Sequence, residues 1–133
     1  MRTDRGSPKT ELKSGKLQKS ALGVSLSFAH YRPQAECLST WGKSELKSFV
    51  RAMDKMRGMN IDQLRFSDLC SAHKYEPKLD RFARPATIGK DHTMHEIRVD
   101  NKNSARMHGV IEGSIFYLVW LDRKHELFPS KKG

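Results

Sequence analysis

Residues 94–128 read MHEIRVDNKNSARMHGVIEGSIFYLVWLDRKHELF, and this stretch decides the fold. Apolar and polar residues alternate from Thr93 to Val99 and again from Ala105 to Ile111, the period of half-buried strands. Asp100-Asn101-Lys102-Asn103-Ser104 breaks the run between them. Glu112-Gly113 reads as a two-residue turn. Ser114 to Leu121 follows, rich in β-branched and aromatic residues. Lys124 to Phe128 reads as a short fourth strand after Asp122-Arg123. The expected product is an antiparallel meander.

Turn lengths then set a register. A loop over 100–104 pairs Val99 with Ala105, Arg98 with Arg106 and Glu96 with His108. A turn at 112–113 pairs Ile111 with Ser114, His108 with Tyr117 and Arg106 with Val119. Because strand side chains alternate, Ile97, Val99, Ala105, Met107, Phe116, Leu118 and Trp120 share one face. That face is apolar and needs a helix over it. The opposite face carries Glu96, Arg98, Arg106, His108 and Tyr117. Two arginines directly opposite one another are unfavourable without an anion, which Glu96 or a ligand phosphate would supply.

Working towards the N-terminus, residues 71–92 are polar and broken by Pro77 and Pro85, so an irregular basic connection is expected. It holds Lys74, Lys78, Arg81, Arg84 and Lys90. Residues 59–70 predict a short helix with Ile61 and Leu64 inward and Asn60 as its cap. Thr40 to Arg57 predicts a longer helix. Its apolar stripe is Leu46, Phe49, Val50, Met53 and Met56, its cap is Ser39 or Thr40, and Gly58 ends it. Lys43, Lys47, Arg51 and Lys55 make a second stripe at four-residue spacing, suited to a solvated face or to RNA phosphates; these four and Lys90 are the candidate RNA-binding residues. Leu22 to Ala29 alternates as a first strand, stopped by Pro33. Residues 1–21 carry six basic and two acidic groups with few apolar ones. They read as a disordered tail, with 22–133 as one domain.

The chain has 25 Lys and Arg against 15 Asp and Glu, a net charge of +10, which suits an anionic partner. No apolar run approaches the ~20 residues that span a bilayer, and no signal-peptide core is visible. Two cysteines, Cys37 and Cys70, do not make a disulfide scaffold. The expectation is a cytoplasmic protein with no membrane contact and no cofactor. Cys70-x2-His73 and His92-x2-His95 offer ligands that zinc accepts, but not at a standard spacing, and no metal site is expected. Gly-rich phosphate loops, nucleophile elbows and HExxH are missing, which argues against nucleotide triphosphatases, α/β-hydrolases and zincins.

The polar face and His125 hold what metal-independent phosphoryl transfer from RNA requires. Glu96 or a histidine would take the 2′-hydroxyl proton. His108 or His125 would protonate the leaving oxygen, and Arg98 and Arg106 would hold the phosphate. The same residues also make sense as a charge-balanced, half-exposed sheet face.

The segments HEIRVD, ARMHGVIEGSIFYLVWLD and RKHELFP resemble the C-terminal sheet of the RelE/YoeB-like toxin superfamily, small phage- and plasmid-borne members above all. The resemblance covers about the last 35 residues of the sequence. It implies an N-terminal strand and two helices on one face of a three- to four-stranded antiparallel sheet, an α+β fold. It implies an endoribonuclease of a type II toxin–antitoxin system, acting on free or ribosome-bound RNA and neutralised by an acidic antitoxin protein. By that resemblance Arg98 and Arg106 match catalytic arginines, Glu96 a catalytic glutamate, and His125 the near-C-terminal histidine. Phe128 stands where many members carry tyrosine, leaving Tyr117 or a histidine for that role. Two further readings stay open: a non-catalytic basic nucleic-acid-binding accessory protein, and a domain that docks an acidic partner.

Overall fold

A computed structural model describes residues 23–73, 80–99 and 104–127. The proposed tail over 1–21, Leu22, Lys74, Lys78, the loop residues 100–103 and Phe128 lie outside the described residues. The chain is α+β. In order it forms β1 (Ser25–Ser27), α1 (Lys43–Arg57), α2 (Ile61–Arg65), β2 (Cys70–His73), β3 (Met94–Arg98), β4 (Arg106–Glu112) and β5 (Ile115–Asp122). The five strands form one sheet in the order β1-β5-β4-β3-β2.

The β3–β4 register agrees with the alternation argument: Glu96 faces His108 and Arg98 faces Arg106. The sheet departs from expectation in three ways. It is mixed rather than purely antiparallel, since β1 runs parallel to β5 with Leu26 opposite Phe116. A hairpin cannot join parallel neighbours; the helical segment carries the chain from β1 to β2 at the opposite edge, and the meander then returns to β5 beside β1. Residues 124–127 form no strand; the chain turns after β5, and His125 takes a left-handed φ of 57°. The added edge strand is instead β2, drawn from a stretch expected to be irregular.

The hairpin register also moves by two residues. Gly113 and Ser114 make the turn, with Gly113 at φ 62°, and Ile111 pairs with Phe116. A bulge between His108 and Gly109 then shifts it again, so His108 faces Trp120 and Arg106 faces Asp122. Past the bulge Trp120 therefore leaves the helical face, and Leu121 takes the place expected for it.

On the helical face, Trp41, Phe49, Ala52 and Met56 pack with Leu64 of α2 against Ile97, Met107, Phe116, Leu118 and Leu121. Helix α1 starts later than its apolar pattern suggests. Residues 38–40 form a 3₁₀ turn, and Glu45 accepts the Gly42 N–H at 2.7 Å in place of a Ser or Thr cap. Asn60 caps α2 as expected: it accepts the Gln63 N–H and its own N–H reaches the Gln63 side chain, both at 2.8 Å.

The opposite face is not the open polar surface that alternation implies. Phe82, Ile88, Ala35 and Leu127 cover much of it, packing on Met94, Val110, Val119 and Trp120. The Phe82 and Trp120 rings meet edge to face at 6.0 Å. Arg84 donates to the Gly89 and His92 carbonyls at 2.8 and 3.0 Å and holds this covering segment in shape. Among the described residues, no helix is long and apolar enough to cross a membrane.

Candidate functional site

Where this second layer ends, one carboxylate gathers three basic groups. Glu96 sits mid-strand on β3, flanked by both neighbouring strands. Ser71 of β2 lies directly opposite it, which puts His73 on the adjacent diagonal. On the other side His108 lies opposite, which puts Arg106 on the diagonal. His73 Nε2 is 2.8 Å from Glu96 Oε1, and Arg106 Nε is 3.2 Å from Glu96 Oε2. His125 Nε2 reaches the same Oε2 at 3.4 Å, in ion-pair range but outside hydrogen-bond geometry. The four side chains are 11–26% exposed, so the cluster is partly shielded yet reachable.

Burial alone would raise the Glu96 carboxyl. The His73 hydrogen bond and the fields of His108, His125 and His73 outweigh it and hold the carboxyl below its ordinary value. Glu96 is thus an anion at neutral pH and only accepts. The hydrogen bond between them is therefore donated by His73 Nε2.

Asp122 builds the turn that brings His125 in. Its carboxylate accepts the Glu126 and Leu127 N–H groups, each at 2.8 Å, folding the chain back after β5. The same carboxylate lies 3.2 Å from His108 Nε2, and both side chains are fully buried. Burial lowers the His108 imidazole despite the opposing Asp122 hydrogen bond. For Asp122, burial raises and the His108, Glu126 and Leu127 hydrogen bonds lower; the result is a depressed carboxyl. His108 is a neutral internal strut with no route to a substrate, although alternation had placed it on the correct face.

The remaining candidates separate. Tyr117 pairs with Val110 and Ser27, and its ring packs on His30 at 5.3 Å, beyond the bulge from Glu96. Arg98 lines a cleft with Arg51 and Lys55 of α1. Lys43, Lys47, Arg51 and Lys55 are all exposed along α1, and Lys90 is exposed on the covering segment. His73 is the member that strand patterning missed. Its segment, Cys70–His73, is a short edge strand without an apolar repeat. The signal available was a histidine three residues from a cysteine, which pointed towards metal ligation.

No group of three or more His, Cys, Asp or Glu side chains is arranged to hold a metal ion among the described residues. Burial pushes the Cys70 thiol up to about 11, which disfavours the thiolate that zinc would bind. No protein-family model matches the sequence, and neither the comparison with curated proteins nor that with solved structures gives a match.

Proposed function

We propose that this chain is a toxin-like endoribonuclease that cleaves RNA by metal-independent attack of the 2′-hydroxyl, working at Glu96, His73, His125 and Arg106. The observation that carries this reading is the single ionised carboxylate within 3.4 Å of two imidazoles and a guanidinium. One imidazole takes the 2′-hydroxyl proton as its oxygen attacks phosphorus. The P–O5′ bond breaks, and the other imidazole gives its proton to the departing oxygen. The products are a 2′,3′-cyclic phosphate and a 5′-hydroxyl. Arg106 neutralises charge on the crowded phosphorus centre. Glu96 is a positioning residue that accepts from His73 and keeps Arg106 and His125 within ion-pair range.

The strand–helix–helix–meander order supports a RelE-like assignment, with an acidic antitoxin protein as the natural partner of so basic a chain. Purified protein incubated with end-labelled RNA and chelator should leave cyclic phosphate ends. His73→Ala and His125→Ala should each slow cleavage by about 10²–10⁴. Folded variants that cleave like wild type would end this reading. The exposed basic ridge of α1 favours a second reading, a nucleic-acid-binding accessory protein, in which RNA binds and stays intact.

A further inference from the structure

Helix α1 carries a second apolar line that the fold leaves exposed. Phe49, Ala52 and Met56 turn into the core and are buried. Leu46 and Val50 turn outward and keep 37% and 58% of their surface exposed. One helical turn separates them, so they stand side by side on one face. Together with Lys43, Lys47 and Arg51 they line a groove along the outside of the helix. The five positions recur at i, i+3, i+4, i+7 and i+8, the spacing of one continuous face. All three cations are exposed. The two carboxylates of α1 have other tasks: Glu45 accepts the Gly42 N–H at 2.7 Å, and Asp54 pairs with Arg57 at 2.8 Å.

We propose that this groove docks an acidic amphipathic helix of another protein, whose apolar side chains cover Leu46 and Val50 while its flanking carboxylates meet Lys43, Lys47 and Arg51. Apolar anchors one turn apart are how one helix seats another, and the charges beside the seam choose the partner. Basic flanks select acidic ones. A second copy of this chain is the wrong occupant, because it would set the same cations against themselves at a net charge of +10 per chain. The N-terminal segment 1–21 has the wrong sign too, with six basic and two acidic groups. RNA phosphates would meet the cations, but Leu46 and Val50 give them nothing to bond and offer bases no aromatic face to stack on. In the cleavage reading RNA is drawn to this same ridge, so a seated helix would exclude it without touching the Glu96 cluster. The docking itself does not depend on that reading.

The test uses the full chain and a fluorescein-labelled synthetic helix of about three heptads, with Leu at the seam positions and Glu flanking them, whose own glutamates keep it from pairing with itself. Saturable anisotropy is expected. Leu46→Gln/Val50→Gln changes exposed positions only, and circular dichroism should show the fold intact. It should weaken binding roughly tenfold. Lys47→Gln/Arg51→Gln should weaken it similarly and flatten its salt dependence. Arg65→Gln, which removes a cation on α2, should change nothing. A peptide of the same composition in scrambled order, with no apolar seam, should bind far more weakly. Absent binding, equal binding of the scrambled peptide, or binding indifferent to Leu46→Gln/Val50→Gln would overturn the docking site. A short single-stranded RNA makes the other arm, and its affinity should not move in Leu46→Gln/Val50→Gln. RNA affinity that falls as steeply as peptide affinity in that variant would assign the face to nucleic acid and overturn the proposal as well. Cleavage is read separately from RNA ends, so the two proposals fail independently.

Discussion

At the residue scale, two carboxylates do different work. Asp122 is structural: it closes the turn, and the imidazole of His108 lies buried against it. His108 has its folded pKa below the unfolded value of about 6.5. Between those two values the unfolded chain binds the extra proton, so stability rises with pH through that window and is lost as pH falls. Glu96 and Asp122, also depressed, extend the loss below pH ~4. The midpoint of thermal unfolding should therefore fall steadily from pH 7 to 5 before dropping further. His108→Gln keeps an amide donor for Asp122 and removes the titration. It should flatten the upper part of that curve, while an unchanged slope would place the effect elsewhere. Glu96→Gln should act differently, because it removes the carboxylate that His73, Arg106 and His125 share. In cleavage kinetics kcat should fall while KM changes little, a split that mere loss of packing does not produce. Strand alternation made Glu96 and Arg106 legible on one face, whereas His125 reaches them from a turn and not from the fourth strand expected there. His108 was legible as to face but not as to depth, since depth depends on Phe82 and Leu127 arriving from other segments.

At the element scale, the β4–β5 hairpin shows where local rules give way. The turn moved by one residue at each end because Gly113 takes the left-handed position. The bulge at His108/Gly109 has no alternation signature; it inserts one residue and carries Trp120 across the sheet. Gly109 marks it physically. A Cβ there would lie 2.0 Å from the Tyr117 carbonyl oxygen and 2.9 Å from the Phe116 ring. Gly109→Ala should cost roughly 3 kcal/mol in denaturant unfolding, at the upper end for overpacked cores. A cost near zero would mean that the bulge relaxes freely. Helix α1 gives the converse case. Its five-residue apolar stripe was wider than the face that packs, since Leu46 and Val50 remain 37% and 58% exposed. Phe49→Ala should cost about 3–5 kcal/mol, whereas Val50→Gln should stay within about 0.5 kcal/mol. Strand β2 escaped notice because an edge strand of four residues needs no apolar repeat to pair.

At the scale of the whole molecule, the sheet separates the two regions to which the proposed function assigns RNA capture and cleavage. One side carries the helices, with the exposed basic ridge of α1 beyond them. The other carries the covering layer, at whose edge the Glu96 cluster lies. A net charge of +10 on the chain would make the proposed RNA capture a long-range, salt-sensitive event. The Glu96 cluster is mostly shielded, and its ion pairs lie within 3.4 Å, well inside a Debye length of about 8 Å. Added salt should therefore weaken binding without disturbing proton transfer. In cleavage kinetics between about 50 and 200 mM salt, KM should rise by orders of magnitude while kcat changes little. A kcat that falls in parallel with affinity would show that the surface contacts also align the reacting phosphate. The division of labour between ridge and cluster would then be wrong. The four-residue spacing of Lys43, Lys47, Arg51 and Lys55 made the exposed ridge of α1 legible from the sequence. The shielding was not, because it arises from Phe82 and Ile88, isolated apolar residues in a polar connection whose burial depends on the sheet beneath them.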